Sequence, residues 1–229
     1  MAELHPEQVP FSRLLPAISL LSAAALAYEI LLTRLFALIQ WHHFAYMMIS
    51  VAMLGYGAAG TLTALYRDAL LRRFETVFVA AAGLFGIAAV GCFLLAQAIP
   101  FNPLEAFWDS RQFLRLALIY LCLFVPFLFA ATALCLAFSR FGDQAPRLYA
   151  ADILGAALGS LGVVGLLFLA SPMRSLAIVG GLGLLAAAVV LRPSNPARRR
   201  VALLLAALLL ASLPPVWLDL RPSPYKDLS

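Results

Sequence analysis

LLPAISLLSAAALAYEILLTRLFALI, residues 14–39, holds only two charged side chains, Glu29 and Arg34, in an otherwise apolar run. At about 1.5 Å per residue, a helix of that length crosses a hydrocarbon core roughly 30 Å thick. Further apolar runs follow at residues 44–66, 76–99, 116–138, 148–170, 175–191 and 201–217. The expectation is an all-α, polytopic transmembrane bundle of about seven spans, with a half-transporter-like arrangement as the finer reading. Residues 1–13 then form a tail, 14–217 the bundle, and 218–229 a tail or a linker to a soluble domain.

Composition agrees with this. Hydrophobic residues make up 64% and charged residues 12% of the chain, and the mean hydropathy is +0.96, whereas soluble domains carry about 25% charge. The implied partner is the lipid bilayer. The net charge of +5 sits in short loops, which argues for topology and against nucleic-acid binding. Arg13, Arg67, Arg72, Arg73, Arg140, Arg147, Arg192, Arg198, Arg199 and Arg200 fall on one side; Arg111, Arg115, Arg174, Arg221 and Lys226 fall on the other. The richer side, with the N-terminus, is expected to be cytoplasmic. Trp41, Trp108 and Trp217 then lie at the outer boundary, where indoles favour the headgroup zone.

Gly55-Tyr56-Gly57-Ala58-Ala59-Gly60 spells the dinucleotide fingerprint G-x-G-x-x-G, but that motif needs a strand-to-helix turn. Within a span, Gly55, Gly57 and Gly60 read instead as a surface for close helix packing, and Gly155, Gly159 and Gly162 repeat the theme. Gly180, Gly181 and Gly183 invite the same reading. No cofactor and no metal site is expected: Cys92, Cys122 and Cys135 lie singly in apolar runs, and adjacent His42 and His43 in an extended loop diverge.

Charges within spans cost on the order of 3 kcal/mol at a helix centre and therefore carry most of the functional signal. Glu29 shares a small, polar stripe with Ser22, Ala25, Thr33 and Gln40, so it faces a helix or a cavity. Two readings stand open for it: a buried ion pair or protonated carboxyl, and a substrate or proton site. Arg34 lies about 140° around the helix from Glu29, an awkward geometry for a direct pair. Asp152 shares a stripe with Tyr149 and Gly155; it reads either as a cap-like group near a helix start or as a cation or amine ligand. Glu29, Arg34, Asp152 and Tyr149 are the candidate substrate-binding residues, and no catalytic residue is evident.

Three segments carry a family resemblance: Tyr28-Glu29-Ile30-Leu31-Leu32-Thr33-Arg34-Leu35-Phe36, Leu54 to Gly60, and Tyr149-Ala150-Ala151-Asp152-Ile153-Leu154-Gly155-Ala156-Ala157-Leu158-Gly159. Together they resemble the membrane region of bacterial membrane-bound spermidine-synthase-like proteins, and Ser223-Pro224-Tyr225-Lys226-Asp227-Leu228 looks like the junction to their soluble domain. The resemblance implies a multi-pass protein of the bacterial inner membrane that anchors or regulates a soluble aminopropyltransferase-like domain, with an amine site at Glu29 or Asp152. The transferase activity is expected to lie outside these 229 residues, so the isolated chain is not expected to be an enzyme. The alternatives are a small cation or polyamine transporter and a structural subunit of a homo- or hetero-oligomeric membrane complex. A transporter asks for a cavity reaching Glu29 and for inverted repeats. The glycine-rich second members of spans 1–3 and 4–6 point towards such repeats.

Overall fold

Two prolines and two glycine pairs show how the apolar runs are shaped into elements. Ser171 caps the helix that follows it, accepting a hydrogen bond from the Arg174 backbone N–H at 3.4 Å, with Pro172 at the first helical position, where a missing N–H costs nothing. Pro146 stands at the second position of the preceding helix, within its first turn. The computed structural model describes residues 10–39, 42–102, 105, 108–191 and 201. Its helices are α1 (Phe11–Ile39), α2 (His42–Leu65), α3 (Arg67–Arg72), α4 (Phe74–Ala98), α5 (Arg111–Arg140), α6 (Ala145–Leu169) and α7 (Pro172–Val190), with a 3-10 turn at Gly142–Gln144 before α6. All except α3 are long and apolar enough to cross a membrane, and together they fit a multi-pass membrane protein.

Several sequence expectations shift. The loop at Arg67–Arg73 contains a short helix, α3, whose Asp68 lies in its first turn and Arg72 in its last, the order the helix dipole favours. His42 and His43 open α2 instead of lying in an extended loop. The seventh span, the triple arginine, Trp41, Trp217 and the C-terminal tail lie outside the described residues.

Helices α1, α4, α5 and α7 surround an aromatic core. Tyr28, Phe78, Phe85, Phe93 and Phe127 are fully buried. The Tyr28 ring lies edge-on to Phe85 with centroids 6.0 Å apart and tilts against Phe127 at 5.2 Å. Helix α2 packs on α5 and α1, and α6 packs on α1. Both present much of their surface outward.

Glycines set the closest approaches. A side chain at Gly155 or Gly159 would overlap the backbone of Ser19 or Ala23, and one at Gly55 would overlap Phe127 and meet the Leu128 nitrogen at 3.1 Å. Register increases together from Ser19 to Ala23 against Gly155 and Gly159, and from Tyr120, which donates to the Met47 sulfur, to Phe127 against Gly55, so α6 runs parallel to α1 and α2 parallel to α5. Gly86 meets Gly180 and Leu184, while Gly183 meets Ala82, Phe85 and Gly86, which makes α4 and α7 antiparallel. Alternating traverses of six spans require these three orientations.

The packing scheme is also its own image. Exchanging α1 with α5, α2 with α6, and α4 with α7 turns the α1·α6 contact into α5·α2, turns α4·α5 into α7·α1, and returns α4·α7 to itself. Burial follows the same exchange. The order of buried and half-buried positions along residues 17–30 recurs without a difference along 126–139; buried 55, 59 and 63 recur as 155, 159 and 163; buried 81, 82, 85, 86, 89 and 90 recur as 179, 180, 183, 184, 187 and 188. Each half has three crossings, an odd number, so the halves are inverted relative to one another, with their pseudo-two-fold axis in the plane of the membrane.

Candidate functional site

The α1·α6 contact carries more polar chemistry than packing requires. Ser19 donates a hydrogen bond to the Ala151 carbonyl at 2.6 Å, and the Ser22 hydroxyl donates to the Asp152 carboxylate. The glycine contacts at Gly155 and Gly159 bring the two backbones close enough for these short side chains to span them. Asp152 lies well inside α6, two turns past its start at Ala145, and it reaches sideways to α1. It is therefore an interhelical group, not the helix cap that is one reading of the sequence; the N-cap position belongs to Gln144.

Glu29 is half-buried. Its backbone carbonyl accepts a hydrogen bond from Thr33 Oγ1 at 2.9 Å. Among the described residues its carboxylate has neither a cation nor a hydrogen-bond donor, so the ion-pair reading has no partner there. Arg34 is exposed one turn further on and Tyr149 is exposed on the outward face of α6. The structure joins neither of them to the carboxylates.

Tyr56, on α2, connects the two acidic groups. It lies close enough to Asp152, Glu29 and Cys135 to interact with each electrostatically. Helices α2 and α6 both pack on α1 but make no extensive contact with one another, so Tyr56 and Asp152 stand on separate helices that flank α1. Ser22 and Glu29 are seven positions apart on α1, which at 1.5 Å per residue separates their levels by about 10 Å. The sequence reading missed Tyr56, counting it only as a spacer between glycines. Its signal was a phenol on a span that otherwise offers small and apolar side chains there.

The glycines divide. Gly55, Gly155 and Gly159 sit in tight contacts, as do Gly86 and Gly183, whereas Gly57, Gly60 and Gly162 have no atom within 4 Å of where a side chain would begin. The pseudo-symmetry isolates the polar groups further. In the register of the two halves, Ser22 corresponds to Ala131, Glu29 to Phe138, Asp152 to Ala52 and Tyr56 to Ala156. Each of these polar groups thus stands where its equivalent in the other half is an apolar side chain.

On the other flank of α6 lies an apolar groove of about 350 Å³, lined by Leu20, Ala27, Leu158, Leu166, Ile178 and Leu182 among others. Its lining suits lipid chains. Cys92, Cys122 and Cys135 are free and half-buried, and among the described residues no three His, Cys, Asp or Glu side chains group to hold a metal ion. Comparison of the chain with protein-family models, with curated proteins and with solved structures returned no match.

Proposed function

We propose that this chain is the membrane module of an amine-handling, spermidine-synthase-like protein and that a linear polyamine binds between α2 and α6, against α1. The supporting observation is the pair of carboxylates, Asp152 and Glu29, at levels about 10 Å apart with Tyr56 within electrostatic range of both. Carboxylates cost several kcal/mol each in hydrocarbon unless something cationic or polar offsets them. Asp152 has Ser22, and among the described residues the Glu29 carboxylate has no partner. Two acidic groups spaced this way match a flexible chain with an ammonium at each end better than a single small cation. The arginine distribution supports an orientation with α1 starting in the cytoplasm, and the resemblance of the three sequence segments supports the anchoring of a soluble transferase-like domain.

The test is spermidine binding to purified protein in lipid nanodiscs by calorimetry, with Asp152→Asn and Glu29→Gln as comparisons. Both substitutions keep shape and hydrogen bonding, so the thermal midpoint serves as a folding control. Saturable binding that weakens at least tenfold in each variant is the expected result. No binding to the unmodified protein, or binding indifferent to both substitutions, refutes the reading.

A further inference from the structure

We infer that the six-helix unit carries its amine across the membrane by exchanging the conformations of its two halves, an inference that rests on the amine site proposed above. The two halves share one packing scheme and one burial pattern, and the contact that separates them is the one between their first two helices. The α1–α2 hairpin is closed, with α2 packed along α1, while α6 stands away from α5 and touches it sparsely. Because the halves are inverted, the arrangement in which α6 packs along α5 and α2 leaves α1 is an equally allowed conformation. It opens the site towards the opposite face of the membrane.

The exchange is inexpensive for a stated reason. The tight glycine contacts, Gly155 on Ser19 and Gly55 on Phe127 and Leu128, are equivalents of one another. Each survives by taking on the geometry of the other, and the α4·α7 contact maps onto itself. What is traded is the α1·α2 contact for an α5·α6 contact. Two conformations of similar energy are what a ligand needs in order to shift a population. The site also lies at the repeat interface, between helices of opposite halves, where alternation exposes it to each side in turn. Carboxylates at two levels, with Tyr56 within electrostatic range of both, give the amine a foothold in either half of the bilayer.

In the exchanged conformation Phe138 and Ala156 take the relation that Glu29 and Tyr56 have now. Spin labels at Phe138→Cys and Ala156→Cys, in a full-length chain carrying Cys92→Ala, Cys122→Ala and Cys135→Ala, are expected to report two separations in proteoliposomes. Spermidine should change their proportions, and a short bifunctional thiol reagent across the pair should lower spermidine flux at least tenfold. In the chain with its native cysteines, Ala156→Phe places a ring between α6 and α5 and is expected to keep spermidine binding while losing flux at least tenfold. A single separation unmoved by spermidine, or full flux through Ala156→Phe, overturns the inference. Binding without any flux in the unmodified protein also overturns it while leaving the amine site standing; absence of binding overturns both.

Discussion

Gly155→Ala should cost far more than its single methyl group suggests. A Cβ at that position falls 2.7 Å from the Ser19 Cα and 2.8 Å from its carbonyl carbon, whereas carbon atoms rest at about 3.5–4.0 Å. The obstacle is backbone, which cannot rotate aside, so α1 and α6 must part by about 1 Å. Overpacking of that kind costs about 1–3 kcal/mol. Parting also lengthens the Ser19 bond to Ala151 and the Ser22 bond to Asp152, each worth about 0.6 kcal/mol in a membrane bundle. The expected loss is therefore about 2–4 kcal/mol. Gly57→Ala is the matched control, since that glycine has nothing within 4 Å and alanine is the better helix former by up to about 1 kcal/mol. Reversible unfolding in bicelles, followed by steric trapping, reads both. Equal stability of the two variants, or a reversed order, would refute the packing argument and with it the close α1·α6 contact that positions Asp152.

Two further outcomes follow from single features of the bundle. Tyr28→Phe removes a fully buried hydroxyl that has no hydrogen-bond partner among the described residues; since such a group costs about 1–3 kcal/mol to bury, thermal stability should hold or rise, and a clear fall would show that the hydroxyl has a partner. Cysteines placed at Ser110 and Gly142, at opposite ends of α5, should react with an impermeant thiol reagent from opposite sides of the membrane, Ser110→Cys from outside. Labelling of both from one side would sink the six-crossing arrangement, and the reverse assignment would invert the proposed orientation.

The spans were legible because hydrophobicity over some twenty residues is a large, local signal. The Arg111–Arg140 helix extends beyond the apolar run at 116–138, since its polar ends reach the interface without cost to the hydrocarbon reading. Gly155 and Gly159 were legible as contacts, but Gly57, Gly60 and Gly162 were not separable from them. Spacing of small residues marks where a helix can approach another, and only the partner's position decides which face is used. Asp152 shows the same limit. Its distance from the helix start allows a cap or an interhelical bond, and Ser22, on a helix 130 positions earlier, decides between them. Tyr56 was not singled out because its place within electrostatic range of both Glu29 and Asp152 arises only from how α2 and α6 pack on α1.

The repeat was legible only through the glycine-rich second members of spans 1–3 and 4–6, for an instructive reason. Its signature lies in which positions are buried, and burial depends on contacts made across the bundle, so the identities at equivalent positions are free to diverge: Ser22 and Ala131, or Glu29 and Phe138, share a place in the fold and little chemistry. The tight contact at Gly55 and Gly155 left the clearest trace in the letters. That divergence is also the argument for function. Had the polar groups served packing alone, their equivalents would be polar too; Ala52, Ala131, Phe138 and Ala156 occupy the matching places without such groups, and it is on that difference that the proposed amine site rests.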